Sequence, residues 1–292
     1  MIAVTTPTGK IGSELVPLLL AAGEKVRVIA RDPRKLSARF RNEVEVTAGS
    51  PDNPEVTAAA FDGVEAVFLV VPFPFSSSDI LKDYMRFVRP AAEAIKRRGV
   101  KRLLFVSGLR LAPADAVSGS LLATEIGNAI EETGSASRAL WCAGFMENLL
   151  TQIEALKRSG TFFQIGHPDV KTPLVATRDI AATAARLLLD RSWSGRGGVG
   201  VLGPEDLSCN DMARIMSEAL GTPIRFQQIG NDAFKAQFVQ AGGSSAVAQW
   251  LVQMRADSEK NPRGSLMRTA ENTSSYTFRQ WCEEVLKPAM QK

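Results

Sequence analysis

The sequence predicts an α/β fold, a doubly wound parallel sheet with a smaller, mostly helical carboxy-terminal lobe. Short β-rich runs recur through the first half of the chain and alternate with helical patterns. Strands that are apolar along their whole length are typical of a parallel sheet with helices on both faces. A turn with two glycines follows the first of these runs, at the point where such folds bind nucleotides.

The first half of the chain supplies the sheet. Strands are predicted for residues 2–5, 26–30, 44–47, 66–71, 102–107 and 138–141, and helices for 11–22, 79–98 and 120–133. We therefore predict a first lobe over residues 1–150.

The second half is predicted to be mostly helical. In residues 179–190 an apolar stripe indicates a helix that packs back on the first lobe. Ser208 with Asp211, and Thr277 with Gln280, form pairs that are typical of helix starts. The glycine-rich stretches at 194–200 and 241–245 are interpreted as loops. Residues 151–292 are thus predicted to form the second lobe, which covers a substrate cleft.

Composition excludes several classes of protein. An apolar content of 45% with 23% charged residues is that of an ordinary globular chain. The three cysteines show no metal-binding spacing and favour a reducing compartment, so we expect a cytoplasmic protein. No signal peptide or run of membrane-spanning length is seen, and the net charge of +4 is scattered. Neither a membrane nor a nucleic acid is an expected partner.

The turn "TTPTGKIG", residues 5–12, is the first candidate site. Gly9 and Gly12 match the second and third glycines of the dinucleotide fingerprint, which let the pyrophosphate and the helix approach the backbone. Thr6 occupies the first glycine position, and the alternative interpretation is an ordinary strand-to-helix turn. The predicted cofactor contacts in this loop are Thr6, Thr8, Gly9, Lys10, Ile11 and Gly12.

The end of the second strand indicates which dinucleotide is bound. An acidic residue there would bind the ribose hydroxyls of NAD, whereas this chain has Arg31, followed by Arg34 and Lys35. Arginine suits the 2′-phosphate of NADP. Asp32, one residue later, could still serve NAD, and the basic residues could simply be solvated. We predict that NADP(H) is preferred over NAD(H).

Five stretches together carry a family resemblance. They are "VTTPTGKIG" (4–12), "GFMENLL" (144–150), "TRDIAATAARLLLD" (177–190), "LGPEDLSCNDMARIMSEALGTPI" (202–224) and "TFRQWCEEV" (277–285). The chain resembles the NmrA-like family of atypical short-chain dehydrogenases/reductases, with matches in the family's order over nearly its whole length. It departs from the family pattern at Thr6 and at "WCAG", residues 141–144, where relatives frequently have RPG.

The resemblance implies a Rossmann domain, NADP or NAD at the carboxyl ends of its strands, and a substrate cleft closed by the second lobe. Members include reductases of quinones, dyes and iminium compounds, and also regulators that sense the dinucleotide without catalysis. Pro72 and Phe73 correspond to the loop over the cofactor in relatives, and Ser107 to a serine that faces the nicotinamide. Alternatively, residues 72–73 form an ordinary loop and Ser107 is a cap.

The tyrosine–lysine proton relay of short-chain dehydrogenases is absent. Neither Tyr84 nor Tyr276 has a lysine four residues later. Alignment with relatives puts Val117 at the tyrosine position and Leu121 at the lysine position. Hydride delivery to a polarised carbon depends more on orientation and a dry pocket than on a dedicated acid.

The remaining catalytic candidates each have an ordinary structural alternative. Glu147 and Asn148 face the cleft if the alignment holds, but they also suit a helix start. His167, the single histidine, lies in the turn "IGHPDV", where an exposed and inert role is the alternative. Candidates for an apolar substrate pocket are Phe75, Trp141, Phe145 and Met146, although such residues also belong in cores.

Three functions follow as hypotheses. The first is an NADPH-dependent reductase of a small hydrophobic or conjugated carbonyl, quinone or imine-like compound. The second is a non-catalytic regulatory protein that senses NADP(H) and binds a protein partner. The third is a redox-neutral enzyme, for dehydration or cyclisation, on the same fold. The aromatic residues near the expected cleft favour the reductase.

Overall fold

The computed structural model describes residues 1–109, 120–262 and 266–292. The strands are β1 Ile2–Val4, β2 Val26–Ala30, β3 Glu45–Ala48, β4 Ala66–Leu69, β5 Arg102–Gly108, β6 Ala136–Cys142, β7 Gly144–Phe145, β8 Thr161–Gln164, β9 Thr172–Val175, β10 Arg196–Val201, β11 Asp206–Leu207 and β12 Arg225–Gln228.

The helices lie between these strands and after them. They are α1 Gly12–Ala21, α2 Pro54–Ala60, α3 Ile80–Arg98, α4 Ser120–Glu131, α5 Ile153–Ser159, α6 Thr177–Leu189, α7 Cys209–Leu220, α8 Asn231–Gln240, α9 Ser245–Lys260, α10 Phe278–Trp281 and α11 Lys287–Gln291. Short 3₁₀ segments occur at Pro33–Lys35 and Met146–Gln152, and a π-helical turn at Cys282–Leu286. None of the helices in the described ranges is both long and apolar enough to cross a membrane.

Seven parallel strands form the central sheet, in the order β10-β6-β5-β4-β1-β2-β3. From β1 the chain winds outward through β2 and β3, and it then returns to place β4 on the other side of β1. The strand order therefore reverses between β1 and β4. In open α/β sheets this reversal opens a crevice at the carboxyl ends of the strands. The predicted Rossmann-like fold class is confirmed.

Alternating side chains of the strands fill two apolar layers. On one face Val4, Phe68 and Leu104 pack with residues of α1 and α6, including Leu15 and Leu188. On the opposite face the core is formed by β-strand residues with α2 and α3. Both faces are covered, which explains why the strands read as continuous apolar runs in the sequence.

A separate core lies in the second half of the chain. Phe162, Met216 and Trp281 are fully buried there, together with residues of α7 and the carboxy-terminal helices. Both predicted capping pairs are present as reciprocal capping boxes, Ser208 with Asp211 and Thr277 with Gln280. The two cores support a division into two lobes, and the boundary at residue 150 stays a prediction.

The glycine-rich stretch at 194–200 is not a loop, as the sequence suggested, but contributes the seventh strand. β10 pairs in parallel with β6, from Arg196 beside Ser137 to Val201 beside Cys142. The missing side chain of Gly198 leaves room for the Trp141 ring, because a Cβ at Gly198 would lie 2.2 Å from that ring. Residues 196–201 therefore form an edge strand of the central sheet.

A buried arginine stabilises the amino-terminal end of the sheet. Arg102, at the start of β5, is 5% exposed, and its Nη2 lies 2.8 Å from Oε1 of Glu65. Its Nη1 donates to the carbonyl oxygens of Leu188 and Asp190 at the end of α6. One side chain thus supplies donors to a carboxylate and to helix carbonyls that lack intrahelical partners.

Replacement of Arg102 by methionine should lower the free energy of unfolding by about 2 kcal/mol, because Oε1 of Glu65 and two carbonyls lose the Arg102 donor, while Oε2 of Glu65 keeps its contact with Arg191. Urea unfolding followed by circular dichroism measures this change. Arg97→Met is the matched control, because Arg97 pairs with Glu93 at 2.7 Å on an exposed helix surface, and its loss should cost less than about 0.5 kcal/mol. Equal destabilisation by the two variants would contradict the assigned role.

Candidate active site

One threonine links the carboxyl ends of β1 and β4. Thr5, which follows β1, is 2% exposed. Its hydroxyl donates to the carbonyl oxygen of Val70 at 3.2 Å and accepts from the Val70 N–H at 3.0 Å. The glycine turn and the loop after β4 therefore start from two points that are hydrogen-bonded to each other.

The glycine turn is closely packed against α1. The Thr6 carbonyl accepts from the Gly9 N–H at 3.1 Å, and a Cβ on Gly12 would lie 2.0 Å from the same oxygen. At Gly9, by contrast, a Cβ would meet Thr6 only at an ordinary 3.4 Å. Gly12 is thus required by the fold, whereas the protein itself leaves space at Gly9.

Thr6 replaces the first fingerprint glycine without backbone strain. No residue other than glycine has a positive φ in the described parts of the chain, so this turn needs no left-handed residue at position 6. The helix that follows, α1, has Ile11 as its N-cap and no side-chain cap. The Ser13 and Glu14 N–H groups donate to the carbonyl oxygens of Gly9 and Ile11, whereas the Gly12 N–H has no acceptor among the described residues. An N–H group left free at a helix start suits a phosphate.

Three other residues of the turn differ in exposure. Thr8 and Lys10 are exposed, whereas Ile11 is 6% exposed and packs in the first core. Lys10 Nζ donates to the carbonyl oxygen of Glu147 at 2.9 Å. Partial burial lowers the pKa of Lys10, and the nearby charge of Glu147 opposes that shift. The lysine thus connects the turn to the segment after β7, and Ile11 can contact a ligand only through its backbone.

The basic cluster after β2 is divided in two. Arg34 binds Asp32 through two contacts, of 2.9 and 3.1 Å, and its guanidinium holds the pKa of that carboxyl below its usual range. Arg31 is exposed, and no carboxylate of the described residues pairs with it. Lys35 is also exposed. The Asp32 carboxylate is therefore already paired with Arg34, whereas the Arg31 guanidinium can bind an anion.

The loop after β4 carries exposed aromatic rings. Phe73 is 48% and Phe75 40% exposed, and Pro72 beside them is half-buried. The Phe73 ring stacks with Trp250 of α9 at a centroid distance of 6.2 Å, and Phe75 meets Phe238 of α8 at 4.7 Å.

Tyr84 of α3 meets the edge of Trp250 at 6.5 Å. We refer to Phe73, Phe75, Tyr84, Phe238 and Trp250 as the aromatic clasp. Burial raises the pKa of Tyr84, so this phenol is neutral at physiological pH. All members of the clasp are thus uncharged.

Ser107 and Trp141 lie side by side at the carboxyl ends of β5 and β6. They are register partners in the parallel pairing, so their side chains point to the same face of the sheet. Ser107 lies within β5 and not at a helix start. Of the two positions aligned with the usual proton relay, Val117 lies outside the described residues, and Leu121 is 60% exposed at the start of α4.

Glu147 has the structural role that the sequence left open. It is 8% exposed; its Oε2 accepts from the Thr177 N–H at 3.0 Å, and its Oε1 from Trp281 Nε1 at 3.2 Å. Thr177 begins α6, which has no capping side chain of its own at Ala176. Both carboxylate oxygens are thus occupied, and this geometry favours capping over catalysis.

Other predicted site residues are dispersed. Met146 is 2% exposed and packs in the second core, and its place in a substrate pocket stays a prediction. Phe145 is half-buried against the first core, and Asn148 is exposed. His167 is exposed. Its backbone N–H donates to Oε1 of Glu259 at 2.7 Å, and its imidazole Nδ1 accepts from the backbone N–H of Asp169 at 3.3 Å. The His167 contacts match the inert alternative.

Sequence reasoning missed two residues that define the site. Thr5 follows the apolar run of β1, and its position directly before the turn was the available signal. Trp250 sits in α9, and nothing in its local pattern relates it to residue 73. Such a contact is set by tertiary packing alone.

Two known proteins with related sequences are reductases by name. The chain is 29% identical to an NAD(P)H azoreductase of Xenophilus azovorans over 257 residues, which cover 88% of this chain and 86% of that protein. It is 28% identical to a (4-alkanoyl-5-oxo-2,5-dihydrofuran-3-yl)methyl phosphate reductase of Streptomyces griseus over 288 residues, 97% of each chain.

A solved structure shares the fold. The NADPH-dependent quinone oxidoreductase of Escherichia coli, complexed with NADPH, superposes with a TM-score of 0.81 at 20% identity, covering 98% of this chain and 100% of that one. The family model described as "NmrA-like family" matches residues 1–258. The protein therefore belongs to the NmrA-like family.

Proposed function

We propose that this protein is an NADPH-dependent reductase of a small hydrophobic or conjugated carbonyl, quinone or imine-like compound. The observation that carries the proposal is the joint presence, at the carboxyl edge of the sheet, of a helix start behind Gly9 without a side-chain cap and of Arg31 without a carboxylate partner among the described residues. Both features suit a dinucleotide with an additional phosphate. The names of the relatives support reductase chemistry.

The residues of the crevice fit NADP(H). Gly9 and the Gly12 N–H at the start of α1 would receive the pyrophosphate, and Lys10 of the same turn would add a positive charge. Arg31 would pair with the 2′-phosphate, and Lys35 adds charge at the same strand end. Asp32 competes poorly for ribose hydroxyls because Arg34 holds both of its oxygens.

Bound NADPH would supply a hydride, so the acceptor would gain two electrons and NADP⁺ would be the other product. A carbonyl, quinone or neutral imine would also take one proton from solvent, whereas a cationic iminium would take none. The protein would orient the acceptor and exclude water rather than donate the proton, since the positions of the usual relay hold Val117 and Leu121. We propose that Ser107 contacts the substrate or the nicotinamide, and that Phe75, Phe145 and Trp141 contribute apolar surface. Asn148 is retained as a candidate for substrate contact.

The proposed activity is tested by oxidation of NADPH in the presence of quinones, conjugated carbonyls and iminium dyes, followed by absorbance. We expect turnover with at least one class and a matching reduced product. Tight NADPH binding without turnover of any acceptor would contradict the reductase. An NADP(H)-dependent affinity for a protein partner would then favour the regulatory alternative.

Replacement of Arg31 by aspartate should weaken NADPH binding by about 1–3 kcal/mol, the range of a lost charge-assisted contact. NADH binding should be unchanged or stronger, because NADH lacks the 2′-phosphate. Calorimetric titration of both nucleotides measures the difference. Arg39→Asp is the matched control, since Arg39 is exposed in the same region; a similar loss of NADPH affinity there would indicate a general charge effect.

Alanine substitutions at the two glycines of the turn should have different effects, one on the stability of the fold and the other on NADPH binding. Gly12→Ala should lower the free energy of unfolding by more than about 2 kcal/mol, because its Cβ would overlap a backbone carbonyl. Gly9→Ala should leave the melting temperature nearly unchanged but weaken NADPH binding at least about 10-fold, since the Cβ occupies the approach of the pyrophosphate.

Gly127→Ala serves as the control for both variants. Gly127 lies on α4, where an added Cβ meets nothing within 4 Å, so alanine there should be neutral or stabilise the chain by up to about 1 kcal/mol. Thermal unfolding and calorimetry supply the two readouts. If Gly9→Ala bound NADPH normally, the pyrophosphate would not lie against this glycine.

A further inference from the structure

Two aromatic side chains of the loop after β4 remain open to solvent. Seven large apolar side chains of the described residues are exposed, and only Phe73 and Phe75 among them are aromatic. They lie two residues apart on one loop. Exposed apolar surface concentrated beside a crevice is typical of a binding site for an apolar ligand.

The partner of Phe73 is held in a fixed orientation. The planes of Phe73 and Trp250 are inclined by only 28°, and the Tyr84 ring meets Trp250 at 64°. Trp250 is thus fixed by a stacked ring on one side and by an edge contact from α3. Phe73 is almost half exposed, so part of its ring stays accessible to a ligand while the ring lies nearly parallel to that of Trp250.

The loop is fixed at both ends. At its start Val70 is hydrogen-bonded to Thr5, next to the glycine turn. Further on, the Ser244 N–H donates to the Phe75 carbonyl at 3.1 Å, and the Ser244 hydroxyl donates to the Ser77 carbonyl. The rings are therefore held between the proposed cofactor crevice and the start of α9.

We infer that Phe73 and Trp250 form a stacking site for the planar aromatic ring of the substrate, and that this site selects fused aromatic acceptors over small non-aromatic ones. The inference rests on the proposed reductase function and names the substrate class of that site. Planar rings stack on aromatic faces, and all five side chains of the aromatic clasp are uncharged. The ligand should therefore be planar and uncharged, and a bicyclic quinone has both properties.

The geometry favours a bound planar ligand over a purely structural role of these rings. In that structural role, called a latch below, the rings would serve only to hold the loop after β4 against α9. A latch gains most by complete burial of its rings, because the favourable free energy scales with the apolar area removed from water. Phe73 and Phe75 stay 48% and 40% exposed despite their contacts. A planar ligand that covers these faces would complete the burial.

The first test compares two acceptors, menadione as a fused aromatic quinone and cyclohexenone as a small non-aromatic enone. Phe73→Leu keeps apolar volume but removes the ring. It should raise the KM for menadione roughly 5- to 10-fold, the range expected for a lost aromatic pair. The KM for cyclohexenone and that for NADPH should change less than about twofold, and Phe73→Trp should restore the menadione KM.

The second test measures binding without turnover. Menadione is titrated into the NADP⁺-loaded protein while tryptophan fluorescence is followed. Quenching should decrease in Trp250→Phe, with a remainder from Trp141 of the proposed pocket, and should be retained in Trp193→Phe. Trp193 is the matched control because its ring packs on Arg138 at 4.8 Å, near the amino-terminal end of the sheet. Circular dichroism checks that each variant is folded.

The outcomes separate the two proposals. If no acceptor of the full panel is reduced, the reductase function fails, while the fluorescence titration still decides whether a planar ring binds at Trp250. If both are reduced and Phe73→Leu leaves the menadione KM unchanged, the stacking site alone is wrong. A Phe73→Leu effect on NADPH alone would assign the ring to the cofactor, and equal losses for both acceptors would indicate a latch; either result overturns the inference.

Discussion

The close approach of α1 to the sheet is the constraint on which the rest of the site depends. Gly12 lies directly against the Thr6 carbonyl, at a distance that no side chain would permit. The turn is therefore short, and α1 begins just after the carboxyl end of β1, where the strand order reverses. Because Thr5 ties this crevice to Val70, the loop after β4 keeps a fixed position relative to the helix start.

A second set of contacts links this crevice to the second half of the chain. The buried Glu147 carboxylate accepts N–H groups from the start of α6 and from Trp281 in the second core. The Glu147 carbonyl accepts from Lys10 of the glycine turn. One residue thus connects the turn, a helix of the first lobe and the core of the second, which explains why a carboxylate is buried there without a direct cation partner at its oxygens.

The electrostatic and apolar parts of the site lie on different strands. Arg31 follows β2, while the exposed rings follow β4, on the opposite side of β1. In a parallel sheet all carboxyl ends meet at one edge, so distinct ends of one ligand can be recognised by separate loops. This separation is the physical basis for testing cofactor and substrate binding independently.

The sequence by itself determined the features that arise from neighbouring residues. Six apolar runs gave six strands of the sheet, the capping pairs at Ser208 and Thr277 gave helix starts, and the glycine spacing gave the turn. Each depends on periodicity or on a contact within one helical turn, so it is visible locally. The family resemblance extended these local patterns to nearly the whole chain.

Only the tertiary structure decided the contacts between distant segments. Residues 196–201 pair with β6 as a strand, in which Gly198 leaves space for the Trp141 ring. Met146 is buried in the second core, and the Glu147 carboxylate caps a helix that begins thirty residues later. Tertiary packing also brings Trp250 to Phe73. A residue's role in such contacts is set by the partner's position in space, and local sequence pattern carries no information on that partner.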